Sequence, residues 1–322
     1  MEIERKGRMS FSADVKEELG KHISDSRHCQ IAELAAIIHY LGHIIRGSNG
    51  KIQLQISTEK LFILRKCFTI LSKAFNIETS EMEEACLKNH KNAVYTIVFD
   101  KEEEIFGIFQ AIKLIDSKGV LHDIRDSINP LILKQSCCQR AFLRGAFLCI
   151  GSMSDPKKGY HLEIVCSNRI QAEQIKEILQ NFGLDGKIVI RKKYFVVYLK
   201  EGANIVDFLN ICEAHVALMD LENLRILKEV RNDINRRVNC ETANITKTVN
   251  AAAKQIEDII FIREYVGFSK LPKNLRQMAE IRLEYPEATL QELGHYLEPP
   301  VGKSGVNHRL RKLCEIADLN RG

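Results

Sequence analysis

The sequence has no long apolar run that could cross a membrane. Hydrophobic residues make up 45% of the 322 residues, yet no apolar segment approaches the ~20 residues that a membrane-spanning helix needs. The amino terminus, MEIERKGRMSFSADVKEELG, carries charges where a secretion signal has an apolar core. These absences argue against a membrane protein and against a secreted one. We therefore expect the protein to be cytoplasmic.

The ten cysteines are scattered, and the C-x-x-C spacing of many cysteine zinc sites does not occur. Only Cys137 and Cys138 are neighbours in the sequence. Most of the others lie in apolar periodic segments, where a thiol behaves as a small buried hydrophobe. We therefore expect a reducing compartment, no structural disulfide, no metal and no cofactor.

The formal net charge of +5 is small, but the charges are unevenly distributed. Five Lys or Arg and no acid lie between Lys187 and Lys200, and four and no acid lie between Pro299 and Cys314. By contrast, residues 77–99 carry four glutamates against two lysines. Local basic segments favour contact with a polyanion at particular places. Solvated surface remains the alternative for either segment alone.

An internal repeat suggests how the first two thirds of the chain fold. Two apolar helices with small residues, predicted at 32–44 and 141–153, begin the same order of elements about 109 residues apart. Each is followed by one or two strands, an amphipathic helix, a β-hairpin and a closing helix. The sequence thus predicts an α+β domain over 10–219, with pseudo-twofold αββαββα-type halves at about 10–125 and 126–219.

The two repeated helices resemble the paired central helices of LAGLIDADG homing endonucleases. Residues 34–42 and 143–151 align with that motif and carry small residues that let two helices approach closely. In active members of that family, the eighth motif residue is an acid that binds the catalytic metal, and here Leu41 and Ile150 stand at those positions. Because an aliphatic side chain offers magnesium no oxygen ligand, the resemblance implies a scaffold that binds DNA and has no catalytic residues.

The last third of the chain changes to helices separated by tight turns. We predict a linker region over 220–248, with an amphipathic helix ending near Val238 and a break over 239–248. An all-α domain follows over 249–322. Residues 1–9 are predicted to be a flexible extension.

Two helices near the C-terminus have the layout of a helix-turn-helix. Thr289 is a cap candidate for the short helix LQELGHYL, and two prolines and a glycine in EPPVGK then interrupt the helix. Ser304 is a cap candidate for the longer helix GVNHRLRKLCEIADL. A short helix, a turn and a longer helix is the order that places the second helix in the major groove of DNA.

Residues able to contact base edges or phosphates are concentrated on this second helix and on the second, basic hairpin. Asn307, His308 and Arg309 are expected to contact bases, and Arg311 and Lys312 phosphates. The complete predicted DNA-binding set is Thr289, Lys303, Ser304, Gly305, Asn307, His308, Arg309, Arg311 and Lys312, with Lys187, Arg191, Lys192 and Lys193 on the hairpin.

Several longer strings, among them AFLRGAF, SDPKKGYHLEIVCSN, RRVNCETANITKTVNAA and PPVGKSGVNHRLRKL, resemble the WhiA family of sporulation regulators. The resemblance extends from about Ser10 to the C-terminus. It implies a bacterial transcription regulator with a degenerate LAGLIDADG domain and a helix-turn-helix similar to the promoter-binding domain of sigma factors. Its process would be sporulation, or cell division and chromosome segregation. Its partners would be promoter DNA and another transcription factor or RNA polymerase, in the nucleoid.

Three alternatives remain. A LAGLIDADG-type metal-dependent endonuclease needs an acid near position 41 or 150, and the nearest acids are Glu33 and Asp155. His39 and His43, four apart on one predicted helix, would suit two zinc ligands, although a hydrogen-bonded core histidine is commoner. The acidic first hairpin favours a protein-docking scaffold with a DNA-binding tail.

Overall fold

The chain divides into two compact units, Met1–Lys228 and Glu229–Gly322. The structure, a computed structural model, describes residues 10–46, 51–77, 82–85, 94–116 and 118–321, with the backbone alone for 82–85. The predicted flexible extension, residues 1–9, lies outside the described residues. So does most of the turn of the acidic first hairpin.

The first unit confirms the predicted pseudo-twofold α+β fold. Helix α1 (Phe11–Lys21) precedes two halves that share the order helix, two strands, helix, two strands, helix. The first half consists of α2 (Arg27–Leu41), β1 (Gly42–Arg46), β2 (Ile52–Thr58), α3 (Leu61–Phe75), β3 (Met82–Ala85), β4 (Val94–Phe99) and α4 (Glu102–Ala111). The second half consists of α5 (Ser136–Ile150), β5 (Gly151–Met153), β6 (Leu162–Cys166), α6 (Arg169–Asn181), β7 (Lys187–Arg191), β8 (Tyr194–Leu199) and α7 (Gly202–Ile211).

Each half contains one antiparallel four-stranded sheet, with the orders β1-β2-β4-β3 and β5-β6-β8-β7. The registers are equivalent as well, because Gly42 pairs with Ile56 and Gly151 pairs with Ile164. One face of each sheet packs on the helices through alternate apolar residues, as in a half-buried antiparallel sheet.

The repeated helices end earlier than the sequence predicted. Helix α2 ends at Leu41 and α5 ends at Ile150, and the next residue of each begins a strand. The cause is a glycine at each junction: Gly42 and Gly151 adopt extended backbone, and their N–H groups donate to the carbonyls of Ile38 and Phe147. A β-carbon at Gly42 would overlap the Ile38 carbonyl oxygen, so this abrupt change from helix to strand requires glycine.

Helices α2 and α5 pack against each other along buried faces rich in small residues. Ala35, Ala36, Ala141 and Ala146 are fully buried. Opposite Ala36 lies Gly145, where a β-carbon would come within 2.8 Å of the Ala36 β-carbon and 2.9 Å of the Glu33 carbonyl oxygen. The small residues therefore allow the close approach of the two helices that the sequence predicted.

A buried charge network joins the two halves beside these helices. Glu33 Oε1 lies 2.6 Å from Lys66 Nζ and 3.1 Å from Arg144 Nε, and all three side chains are buried. Lys66 also donates to the carbonyls of Leu19 and His22, and burial lowers its pKa although Glu33 opposes this. Buried charges persist only when paired in this way.

Helix α8 (His215–Phe261) contradicts the predicted break over residues 239–248. It is one continuous helix of 47 residues. The sequence from His215 to Phe261 contains no glycine or proline. Its threonines bond to their own helix, because Thr246 Oγ1 donates to the Thr242 carbonyl at 2.8 Å and Thr248 Oγ1 donates to the Asn244 carbonyl at 2.9 Å. The polar residues that suggested a linker are therefore compatible with a helix.

The second unit is helical, as predicted. After a π-helical turn (Ile262–Val266) and a 3-10 turn (Phe268–Lys270), it contains α9 (Lys273–Glu284), α10 (Leu290–His295) and α11 (Lys303–Asn320). Its own core includes Ile259, Met278, Leu293 and Leu310. Within the described part of the chain, no helix is both long and apolar enough to span a bilayer.

Candidate nucleic-acid interface

Helix α11 is held in the second unit by one apolar face. Val306, Leu310, Leu313 and Ala317 are fully buried, and their spacing places them on one side of the helix. They share a core with residues of α9 and α10. The opposite side of α11 is therefore presented to solvent at a fixed angle.

The exposed side of α11 carries most of the predicted DNA-binding residues. Asn307, His308, Arg311 and Lys312 are exposed, whereas Arg309 is half-buried. They occupy the first three turns of the helix, the part that enters the major groove in helix-turn-helix proteins. The structure thus brings hydrogen-bonding groups and positive charge together near one helix end.

The short helix α10 begins at Thr289 with a complete capping box. The Thr289 hydroxyl accepts from the Glu292 N–H at 3.3 Å, and the Glu292 carboxylate accepts from the Thr289 N–H at 2.8 Å. These hydrogen bonds hold the pKa of the Glu292 carboxyl below its usual value. The predicted cap is confirmed, while a DNA contact by Thr289 stays a prediction.

The turn between α10 and α11 depends on a glycine. The Val301 N–H donates to the Gly294 carbonyl at 3.0 Å, and a β-carbon at Gly294 would overlap the Val301 carbonyl oxygen. The two helices are thus joined by a tight backbone contact that fixes their geometry.

Two expectations about the start of α11 were wrong. Ser304 does not cap the helix, because α11 begins at Lys303 and its N-cap is Gly302, which has the extended backbone that an N-cap needs. Gly305 does not face outward, because it is half-buried and a β-carbon there would overlap the Val301 side chain. Lys303 and Ser304 are exposed, so their predicted DNA contacts stay predictions.

The basic hairpin presents its predicted residues at the surface. Arg191 pairs with Tyr194, which leaves Lys192 and Lys193 as a two-residue turn, with Lys192 at a φ of 55°. All four predicted residues, including Lys187, are exposed. Two of them have acidic neighbours: Arg191 Nη1 lies 2.8 Å from Glu163 Oε2, and Lys187 Nζ lies 3.8 Å from Asp185 Oδ2. The turn lysines are therefore the better candidates for phosphate contact.

Leu41 and Ile150 end their helices beside a pocket between the two halves. Ile150 lines it together with His39, Tyr40 and Gln171. Of the described residues that line this pocket, none is Asp or Glu. Glu33, the nearest acid before the first motif, instead forms ion pairs with Lys66 and Arg144.

His39 is a hydrogen-bonded core histidine. It is buried, and Gln171 Nε2 donates to its Nε2 at 3.0 Å. Burial lowers the pKa of His39 to about 4, against the raising effects of a hydrogen bond with the backbone of Ile124 and of the Asp126 charge. His43 lies on β1, so the two histidines do not share the helix face on which the alternative of a zinc pair depended.

One feature of the surface near the helix-turn-helix was missed from the sequence. Tyr285 and Tyr296 stack with ring centroids 4.3 Å apart, and both are partly exposed. Tyrosine hydroxyls are among the groups that contact DNA phosphates. In the sequence, the two tyrosines show only as one tyrosine soon after each of two predicted helices. Such spacing does not predict that their rings stack.

Comparison with known proteins places these features in one family. Family models match three parts of the chain: a WhiA N-terminal LAGLIDADG-like domain at residues 27–115, a WhiA LAGLIDADG-like domain at 139–231 and a WhiA C-terminal HTH domain at 234–317. A protein named probable cell division protein WhiA, from Lachnoclostridium phytofermentans, is 50% identical over 96% of this chain and 99% of its own length. One of the same name from Alkaliphilus oremlandii is 48% identical over 96% of this chain and 97% of its own.

The fold is also similar to a solved structure. Full-length DUF199/WhiA from Thermatoga maritima superposes with a TM-score of 0.59 and 26% identity, covering 96% of this chain and 98% of that one.

Proposed function

The chain belongs to the WhiA family, and from that premise we propose that it is a sequence-specific DNA-binding transcription regulator without nuclease activity. The observation that supports this most strongly is the surface of α11. A helix anchored by four buried residues presents Asn307, His308, Arg311 and Lys312 to solvent. Amide, imidazole and guanidinium groups in the first turns of such a helix are the groups that recognise base edges and phosphates.

The turn lysines of the basic hairpin supply a second contact with DNA. Lys192 and Lys193 are exposed and project from a two-residue turn. Their contact would be with phosphates, which adds affinity and salt dependence but no sequence preference. Two weak contacts in one chain raise the effective concentration of whichever binds second.

The absence of nuclease activity follows from the residues at the ends of α2 and α5. Leu41 and Ile150 provide no oxygen ligand for a divalent metal, and no acid is found among the described residues lining the adjacent pocket. Without a metal, the site lacks the Lewis acid that activates water and stabilises the leaving oxygen in metal-dependent nucleases. Purified protein is therefore expected to leave supercoiled plasmid intact in magnesium or manganese. Reproducible nicking that copurifies with the protein would refute this part of the proposal.

The names of the relatives indicate the cellular process to which the regulated genes belong. Relatives with 44–50% identity are named probable cell division proteins. We therefore expect the regulated promoters to belong to cell division and chromosome segregation rather than to sporulation, and the protein to associate with the nucleoid. Another transcription factor or RNA polymerase is the expected protein partner at these promoters.

The central test is selection of bound duplexes from a random-sequence DNA pool by the full-length protein. For a specific regulator, we expect the selected duplexes to share a sequence motif. The protein should bind duplexes with this motif at least about 1000-fold more tightly than random DNA. Asn320→Ala, at the far end of α11, serves as the control and should select the same motif. Failure to enrich any motif would leave only non-specific DNA binding and would overturn the proposal.

A further inference from the structure

Four side chains that are metal ligands in other proteins meet at the N-terminal ends of α2 and α5. The ligand atoms of His28, Cys29, Cys137 and Cys138 all lie within 4.8 Å of one another. His28 Nδ1 is 3.3 Å from Cys29 Sγ, 3.3 Å from Cys138 Sγ and 3.9 Å from Cys137 Sγ. The imidazole nitrogen thus lies close to all three sulfurs.

These separations are close to those of a tetrahedral zinc site. With bonds of about 2.3 Å to sulfur and 2.0–2.1 Å to nitrogen, tetrahedral angles put a nitrogen and a sulfur ~3.6 Å apart. The three nitrogen–sulfur distances bracket that value. An ion at the centre would therefore need only small side-chain rotations to gain four ligands.

The internal repeat explains why the ligands converge. Residues 28 and 29 precede residues 137 and 138 by 109 positions, the same offset that relates Leu34 to Leu143. The two dyads therefore occupy equivalent positions on the two helices and meet at the pseudo-twofold axis. This juxtaposition does not depend on any short spacing in the sequence.

Burial and the neighbouring sulfurs raise the pKa of the Cys29 thiol to about 12, and burial raises that of Cys138, so only a bound cation would hold these sulfurs as thiolates. The helix ends offset part of that cost. Each dyad lies in the first turn of its helix, and neither α2 nor α5 has a side chain hydrogen-bonded at its N-cap. The positive end of a helix dipole stabilises anionic sulfur, and here two such ends face one cluster.

We propose that His28, Cys29, Cys137 and Cys138 form a Cys₃His site for one Zn²⁺ ion that joins the two halves of the first unit. Three thiolates and one imidazole are the donor set that selects zinc over magnesium or calcium, which prefer oxygen. Because the protein supplies all four ligands, the ion has a structural role and no open position for a substrate. This departs from the sequence expectation of no metal, which considered only spacings along the chain.

Metal titration of the full-length protein tests this site. The protein is stripped of metal by a chelator under reducing conditions and titrated with Co²⁺, whose tetrahedral thiolate complexes absorb visible light. One equivalent of Co²⁺ per chain should produce that absorption, and one equivalent of Zn²⁺ should abolish it. Zinc should also raise the temperature at which the first unit unfolds, since binding favours the folded state.

Two ligand variants and one matched control identify the residues. Cys137→Ser and His28→Gln change exposed side chains, so they should not disturb the core, and each should weaken zinc binding by at least about 10- to 100-fold. Cys240→Ser changes an exposed cysteine on α8 and should bind zinc like the unmodified protein. The proposal is overturned if no cobalt absorption develops at one equivalent, or if both ligand variants bind zinc as tightly as the control. A Cys29–Cys138 disulfide that persists in zinc-treated, reduced protein would also overturn it.

Discussion

Exposed residues of α11 differ in how far along the helix they lie, and this suggests different roles. Asn307 and His308 lie in the second turn of the helix, where base edges are within reach of a helix entering the major groove. Arg311 and Lys312 lie one turn further on. We therefore expect the first pair to contribute sequence preference and the second pair to contribute affinity for any duplex.

Substituting one residue from each pair separates these roles. Asn307→Ala should weaken binding to a selected duplex by ~1–3 kcal/mol and leave binding to a scrambled duplex nearly unchanged. Lys312→Ala should weaken both equally and reduce the slope of log affinity against log salt by about one unit. Titrations of both duplexes at two salt concentrations measure these effects, with Asn320→Ala as the control. Equal losses on both duplexes for Asn307→Ala would show that this residue does not read sequence.

The buried His39 makes the stability of the first unit depend on pH. Its pKa of about 4 in the folded protein lies below the ordinary value of 6.5, because burial disfavours the charged ring. The unfolded chain therefore binds a proton between these values that the folded chain does not. The free energy of unfolding therefore has its full value above pH 6.5 and decreases by about 3 kcal/mol as the pH falls to 4. The pKa of His22 is also lowered, chiefly by burial, and adds to the same trend.

Urea unfolding of the full-length protein between pH 4.5 and 7.5 measures this dependence. In His39→Asn the amide does not titrate, so most of the loss of stability between pH 6.5 and 4.5 should disappear. His295→Asn, on α10 in the other unit, should keep the pH dependence of the first unit. An unchanged pH profile in His39→Asn would mean that other groups cause the acid sensitivity.

At the scale of secondary-structure elements, the contact between α2 and α5 has little room for larger side chains. Gly145→Ala would place a methyl group within 2.8 Å of the Ala36 β-carbon, and overpacking of this kind costs ~1–3 kcal/mol. Gly107→Ala on α4 is the matched control, since nothing lies within 4 Å of a β-carbon there. Alanine at this exposed helical position should raise stability by roughly 0.5–1 kcal/mol. Thermal unfolding of the two variants should therefore shift in opposite directions, and shifts in the same direction would contradict this account of the packing.

The elements also show where sequence reasoning succeeded and where it failed. Periodicity and the repeat were sufficient to predict the paired halves and the helix-turn-helix, because buried faces recur at regular spacing. The continuity of α8 was missed because residues 239–248 interrupt the apolar pattern and contain residues that often cap helices. Only the hydrogen bonds of Thr246 and Thr248 to the helix backbone show that this segment stays helical. The start of α11 was misplaced because Gly302, not the better cap residue Ser304, has the extended backbone.

For the candidate sites, the sequence did not show which residues distant along the chain come together in the folded protein. The exposed residues of α11 were predictable, since four buried positions fix which side faces outward. The inward position of Gly305 was not, because it depends on contact with Val301 across the turn. The His28–Cys138 contact joins residues 110 positions apart, and only the offset of the repeat could have indicated it.

For the whole molecule, the two units should fold independently because each has its own buried core. Residues 229–322 produced alone should therefore unfold cooperatively in urea. This fragment should still prefer a selected duplex over a scrambled one, but bind it more weakly than the full chain, which also has the hairpin lysines. A folded fragment without preference between the two duplexes would place sequence recognition outside the helix-turn-helix.

The shared helix pair also has a consequence for how the protein is made. The ribosome synthesises α2 about 109 residues before it synthesises α5. At 5–20 residues per second, the delay between the two helices is roughly 5–20 s. During that interval a nascent chain exposes an apolar helix, and Glu33 lacks the guanidinium of Arg144. We expect a chain that stops before Ser136 to aggregate or to be held by chaperones, because the first half has no finished core until the second half has been synthesised.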